Sequence, residues 1–369
     1  MNRLQTASLL CAGAFLSFAQ PTIAKPNTPP IAARQTSGAH VPAFPYHGAT
    51  FRGFVADSYK DGGGGAPARF FNWFSKAYAQ SGVAYPGKPG LSLDATLKAV
   101  AADYKQAKTP ASRTAIETKS GAWLHAAVKK SIPKFSLDRG FEFRYAETRG
   151  ERQCFLQGVL VAGLMQQMGM RAGVVMVSKS EKGEATNNGH AVALVKLSDG
   201  HDLIVDVSHP DPTVRQQGLF VADNTTHAFR YVAPIYGPQG TSDMILGYQA
   251  VGGPKLTPRS VAPLNIAFLR SQFDYYRGER TINGLLAKPT PEGLAREAAY
   301  LRRASAECPR NPLAVYMLGR VYLRMGNMDA ARKQLLAAQK VYEKAGWLPD
   351  GARDALAAVN AAPSRVSMR

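Results

Sequence analysis

The chain has 369 residues, of which 45% are hydrophobic and 19% charged, and its formal net charge at pH 7 is +19. This length holds one large domain or two to three ordinary ones, and the composition is that of a globular protein with a real core rather than of a low-complexity chain. The positive charge favours anionic neighbours such as an envelope surface, although general solubility explains it equally well. The basic residues form no dense block and no basic–aromatic motif, so specific nucleic-acid binding is not expected.

Residues 1–24 have the pattern of a secretory signal peptide. The basic residue Arg3 precedes an apolar run over 9–19, and small residues stand before a cleavage site after Ala24. The apolar run is too short for a transmembrane helix. We therefore expect an exported protein, periplasmic or secreted, with no transmembrane segment in the mature chain. Cleavage after Ala19 is the alternative.

The amino-acid composition and the positions of proline and glycine divide the remaining chain into segments. Proline- and glycine-rich stretches predict lead-in and linker segments, whereas apolar periodicity predicts folded elements. The expected parts are a partly disordered lead-in at 25–67, a domain with an N-terminal helical extension at 68–251, a linker at 252–262, and a helical region at 263–369.

The predicted elements of the central domain are helices followed by strands. The aromatic segment at 69–80 indicates a helix packed on the core. Further helices are predicted at 92–106, 112–132 and 154–168, and the last is apolar on most sides, as in a central buried helix. Three short strands follow as an antiparallel meander, "AGVVMVSK", "HAVALVKL" and "DLIVDVS", with a loop at 180–189 before the second.

The C-terminal region has a repeat of small and large residues at helical spacing. Its members are Leu318, Gly319, Tyr322, Gly326, Ala331, Leu335 and Ala338. The pattern resembles the tetratricopeptide (TPR) repeat, in which two antiparallel helices pack closely over 34 positions. It covers about one and a half repeats, fewer than the usual three, so these helices are expected to lean on the preceding domain.

Cys154 opens the 154–168 helix and has two interpretations. A buried free cysteine is commonly an inert small hydrophobe. A cysteine at a helix N-terminus, however, gains thiolate character from the helix dipole and the unpaired N–H groups. A thiol catalyst also requires a histidine base and a third group that orients the imidazole. His190 and Asp206 follow in chain order, with His201, Asp202, His209 and Asp211 as rivals in turn-like segments.

The hairpin between the second and third strands tests the choice of His190 and Asp206. A three-residue turn at 198–200, with Gly200 in the left-handed conformation, sets 192 opposite 206. His190 and Asp206 are then diagonal neighbours on one face, about 7–8 Å apart at the backbone. Asp206 also interrupts an apolar strand, so it must be paired if it is buried. The alternative is an exposed aspartate on an edge strand.

Three segments resemble the core of the transglutaminase-like superfamily of papain-like cysteine enzymes. They are "RQCFLQGVLVAGLMQQMGMRAGVVMV", "GHAVALVKLSDG" and "DLIVDVSHP", within a region of about 112–250. The resemblance implies an α+β fold in which a buried helix packs on an antiparallel sheet, with the catalytic triad Cys154, His190 and Asp206. It also argues against a Cys154–Cys308 disulfide. The chain departs from the family at three positions. The family often has glycine before the cysteine, where this chain has Gln153, and an aromatic residue two positions after the histidine, where it has Val192. Proline or threonine commonly follows the aspartate, and here the residue is Val207.

These observations favour an exported enzyme that acts on an amide or peptide bond through a thioester on Cys154. Its substrate would be a protein or peptide, and no cofactor or metal is expected. The acyl acceptor stays open: water defines a protease or amidase, and a lysine amine defines an acyltransferase. The alternative is a non-catalytic scaffold that binds a protein partner through its TPR-like helices.

Overall fold

The structure is a computed structural model that describes residues 40–226, 228–238 and 242–361. The predicted signal peptide and the lead-in before residue 40 lie outside the described residues. The described chain is a mixed α+β structure and belongs to one compact unit. Within the described ranges, no helix is long and apolar enough to cross a membrane.

The predicted lead-in is wrong over its described part, because it is built into the core. Phe44 and Tyr46 are buried, and a helix follows that buries Phe51 and Phe54. Proline and glycine are frequent here, but the aromatic side chains outweigh them by removing large apolar areas from water. The four N-terminal helices are α1 (Ala49–Asp61), α2 (Ala68–Ser81), α3 (Leu93–Gln106) and α4 (Pro110–Ser131).

A short connecting region leads from α4 to the central helix. It consists of β1 (Lys134–Phe135), α5 (Phe143–Arg149) and β2 (Glu151–Arg152), with β1 and β2 paired in parallel. The central helix α6 (Cys154–Gln167) is buried along almost its whole length. A Cβ added at Gly158 would lie 3.4 Å from the Val192 carbonyl carbon, which is van der Waals contact, so α6 packs directly on the backbone of the following sheet.

The sheet follows α6 and closes on itself. Its strands are β3 (Ala172–Lys179), β4 (Ala185–Lys196), β5 (Asp202–Val205), β6 (Gly218–Asp223), β7 (Phe229–Tyr236), β8 (Ile245–Ala250), β9 (Lys255–Leu256) and β10 (Val261–Ala262). The order is β10-β6-β3-β4-β5-β8-β7, with β9 beside β8 and all neighbours antiparallel, and a β6–β7 pairing joins six strands in a ring. The predicted β3-β4-β5 meander is confirmed. Alternate residues separate the main core, shared with α6, from a second apolar cluster on the opposite face.

The predicted linker at 252–262 is also wrong, because it takes part in the sheet. Strands β9 and β10 lie within it, and Val261 of β10 pairs with Asp223 of β6. Helix α7 (Ile266–Glu279) then returns to the core, where the Phe273 ring lies 4.8 Å from the Phe155 ring. The chain therefore has no structural boundary at this point.

The remaining helices are α8 (Pro291–Glu307), α9 (Pro312–Arg324), α10 (Met328–Ala345) and α11 (Asp350–Ala361). Helices α9 and α10 form the predicted close pair, since a Cβ at Gly319 would lie only 2.7 Å from Leu335 Cγ. The short array leans on the sheet as expected. The Trp347 ring, just after α10, lies edge-on to the Tyr231 ring of β7 at 5.1 Å.

Candidate active site

Cys154 is the first residue of α6 and is 5% exposed. Gln153 caps the helix, and its side-chain oxygen accepts a hydrogen bond from the Phe155 N–H at 3.2 Å. The first N–H groups of a helix have no partner within the helix, and the positive end of its dipole lies there. The thiol therefore occupies the position in α6 that best supports a negative charge, as the sequence predicts.

The hairpin between β4 and β5 brings His190 and Asp206 together. Lys196 pairs with Asp202 and Ala193 with Val205, which is the register predicted from the three-residue turn. The His190 Nε2 and Asp206 Oδ2 atoms are 2.7 Å apart. Because Nε2 faces the carboxylate, Nδ1 is the ring nitrogen left for a second partner.

Asp206 is buried and fully engaged, which excludes the alternative of an exposed edge-strand aspartate. It is 3% exposed and lies directly after β5, an inner strand between β4 and β8. Its Oδ1 accepts from the Ser208 N–H at 2.9 Å, and its Oδ2 accepts from Gln216 Nε2 at 3.3 Å. These bonds orient the carboxylate toward the imidazole.

The three predicted site residues are electrostatically linked. Burial alone would lower the pKa of His190, but hydrogen bonds to Asp206 and Cys154, with their charges, outweigh it and raise the pKa to about 10. Burial would raise the pKa of Asp206, but the hydrogen bond and charge of His190 hold it below its ordinary value. The protonated imidazole is therefore favoured between the Cys154 sulfur and the Asp206 carboxylate.

Tyr276 of α7 is a site residue that the sequence does not reveal. Burial and then the charge of Cys154 raise its pKa well above the ordinary value, which places the hydroxyl near the sulfur. Its ring lies 5.7 Å from the Phe155 ring, and the hydroxyl is buried without a hydrogen-bond partner. Gln153 and Gln272 flank it outside hydrogen-bonding geometry. Its electrostatic interaction with Cys154 comes from a helix that begins 112 residues later in the chain, so no local signal marks it.

A cavity of about 220 Å³ opens beside His190 and Asp206. Ser208, His209 and Gln216 also line it, and the His190 side chain is 24% exposed. Ser208 Oγ donates to Gln157 Oε1 at 2.8 Å, which ties the turn after Asp206 to α6. The imidazole is therefore reachable from outside, whereas the carboxylate behind it is covered.

The rival acids and histidines have other partners or are exposed, although His209 lines the cavity beside His190. His209 contacts Glu181 at 3.3 Å, His201 contacts Asp199 at 3.3 Å, and Asp211 is exposed. Asp202 was expected in a solvated turn, and that expectation is wrong. It is fully buried and contacts Lys196 Nζ at 2.6 Å, because it enters the sheet directly opposite that lysine.

Cys154 and Cys308 are both free. Cys308 lies at the end of α8, where burial raises the pKa of its thiol. Among the residues that the structure describes, no group of three or more His, Cys, Asp or Glu side chains is placed to hold a metal ion. Comparison with protein families, with curated proteins and with solved structures finds no match for the chain.

Proposed function

We propose that this chain is a cysteine-dependent enzyme that cleaves or transfers an acyl group at an amide or peptide bond, with Cys154, His190 and Asp206 as its triad. The observation that carries the proposal is the 2.7 Å contact between His190 Nε2 and Asp206 Oδ2, combined with the electrostatic interaction of the same imidazole with Cys154 that raises the pKa of His190. Nucleophilic catalysis requires a thiol next to a base, and a carboxylate that orients the base from its other side.

In the proposed reaction the Cys154 thiolate attacks the carbonyl carbon and forms a tetrahedral oxyanion. Collapse of that intermediate breaks the C–N bond, and protonated His190 transfers its proton to the leaving amine. The thioester is then attacked by water or by an amine, whose proton returns to His190, and the C–S bond breaks to release the acyl product and restore the Cys154 thiolate. Asp206 holds the imidazole in the tautomer and orientation that both transfers need.

Two groups of the chain suit the oxyanion. The Cys154 N–H belongs to the first turn of α6, where N–H groups have no partner within the helix. The Tyr276 hydroxyl is buried near the sulfur without a hydrogen-bond partner, so donation to an oxyanion would satisfy it. Both groups are held by rigid helices.

The arrangement of the core, the localisation and the substrate class are proposed from the sequence. We infer a transglutaminase-like arrangement of α6 against the β3-β4-β5 meander, an exported protein, and a protein or peptide substrate. A buried helix that begins at the thiol and packs on the strands bearing the base supports the arrangement.

Thiol reactivity tests the proposal without a known substrate. At pH 6.5 an ordinary cysteine is about 1% thiolate, so a thiolate held by His190 should react with iodoacetamide about tenfold faster or more. Peptide mapping by mass spectrometry would follow Cys154 and, as an internal control, Cys308 in the same sample. His190→Ala should abolish the advantage of Cys154. Equal alkylation of the two cysteines, unchanged by His190→Ala, would refute the proposed function.

A further inference from the structure

Strand β4 carries a large bulge directly before His190. The pair Val177–His190 is followed along the ladder by Lys179–Ala185, so one residue of β3 faces the four residues 186–189 of β4. The sequence predicts a loop here, whereas the structure makes these residues an irregular part of the strand. Because residue 189 is joined to His190, the geometry of the bulge sets where the imidazole lies.

The bulge has an unusual backbone. Asn187 and Asn188 both adopt left-handed conformations, with φ of 46° and 59°. Asparagine tolerates this region better than most residues, but two in succession still require support from their surroundings. A bulge of this kind holds one shape only if tertiary contacts fix it.

Two tyrosine hydroxyls supply that support. The Tyr342 hydroxyl of α10 donates to Asn187 Oδ1 at 3.1 Å. Asn188 is fully buried, and its Nδ2 donates to the Tyr231 hydroxyl of β7 at 2.9 Å. Tyr342 is also fully buried, so the donor side of this part-buried bond is shielded from water.

We propose that Tyr342 is a positioning residue, which holds the bulge at 186–189 and through it the imidazole of His190. This inference rests on the proposed function. Under it, the C-terminal helix pair is part of the catalytic unit, because α10 completes the support of the base. Tyr342 acts through the bulge and His190, without contact with substrate.

A double-mutant cycle on the full chain tests the role. Tyr342→Phe removes one hydroxyl and should lower the rate of Cys154 alkylation by iodoacetamide at pH 6.5 by about 5-fold, the worth of one hydrogen bond. In the His190→Ala background the same change should have no effect, since the imidazole is then gone. Tyr316→Phe is the matched control, because the Tyr316 hydroxyl of α9 donates to the Gly351 carbonyl of α11 at 2.9 Å. Its ring lies 6.4 Å from the Tyr342 ring, so this change disturbs the same packing without removing the bond to Asn187.

Each outcome decides the role. An unchanged rate in Tyr342→Phe, or an equal loss in both backgrounds, would overturn it, since the effect would not pass through His190. An unchanged rate in His190→Ala alone would overturn the proposed function and with it the role of Tyr342. Should Tyr342→Phe fail to fold, Asn187→Gly keeps the left-handed backbone without the acceptor and decides the question by the same cycle.

Discussion

The hairpin of β4 and β5 carries two buried acid–base pairs, and they differ in what surrounds them. Near the turn, Lys196 Nζ is bound by Asp202 and by the carbonyls of Pro258 and Val261, at 2.6, 2.5 and 2.9 Å. At the other end, His190 binds Asp206 and keeps a ring nitrogen for Cys154, beside a cavity of about 220 Å³. The Lys196–Asp202 pair is closed to solvent, although Asp202 Oδ1 is buried without a hydrogen-bond partner, whereas the His190–Asp206 pair is open on one side.

Their electrostatics differ in the same way. Burial lowers the pKa of Lys196 and raises that of Asp202, against the attraction between the two. At the other pair the attraction and hydrogen bonds win over burial, so the pKa of His190 rises and that of Asp206 falls. Access from solvent, rather than charge pairing itself, therefore distinguishes the open pair from the closed one.

The largest expected effect is on chemistry at the open pair. Asp206→Asn should lower hydrolysis of an activated ester such as p-nitrophenyl acetate by up to about 10⁴-fold, because an amide presents the imidazole in the wrong tautomer. Thermal unfolding should change little. Asp211→Asn, at an exposed position of the same turn, is the control and should match wild type in both assays. Unfolding of Asp206→Asn with full activity retained by the folded fraction would contradict the triad.

The closed pair should show the opposite response. Asp202→Asn leaves Lys196 buried without its carboxylate and should lower the free energy of unfolding by about 3–5 kcal/mol, measured by urea denaturation. Alkylation of Cys154 below the unfolding transition should stay at the wild-type rate. The double variant Lys196→Met/Asp202→Leu should recover most of the stability. A slowed alkylation in Asp202→Asn would mean that the two pairs are coupled.

The pH dependence of the free energy of unfolding tests the electrostatics of the open pair. The pKa of His190 is raised to about 10, so its contribution is fully present below pH 6.5 and is lost as the pH rises through 10. The contribution of Asp206, whose pKa is lowered, is present above pH 3.8 and is lost on acidification. The stability difference between wild type and His190→Ala should shrink by about 2–4 kcal/mol between pH 6.5 and 10.5. A difference independent of pH would disprove the raised pKa.

The smallest expected effect is at Glu297, a buried acid that forms no salt bridge with the residues that the structure describes. Its Oε2 accepts from the Leu285 N–H at 2.6 Å and its Oε1 has no partner. Burial raises its pKa to about 7, so stability should fall by about 1–3 kcal/mol as the pH rises from 4.5 through 7. Glu297→Gln should remove this part of the pH profile, with Glu292→Gln, at an exposed position of the same helix, as the control. Identical profiles for Glu297→Gln and wild type would refute the assignment.

The local parts of this structure follow from the sequence. Apolar periodicity predicts α3, α4 and α6, and the turn at 198–200 predicts the register that pairs 192 with 206. These features depend on side-chain spacing and turn geometry within a few residues. The contact between His190 and Asp206 could be predicted for the same reason, since both residues lie on one hairpin.

The packing of two segments and the positions of two tyrosines depend on long-range contacts, which the sequence does not reveal. Composition makes 40–67 and 252–262 look like unpacked chain, yet Phe51 fills the core and Val261 extends the sheet. The hydroxyls of Tyr276 and Tyr342 approach Cys154 and the His190 bulge from helices far along the chain. A sequence records which side chains could pack or donate, but their partners depend on the summed free energy of burying every element together, and no local pattern contains that sum.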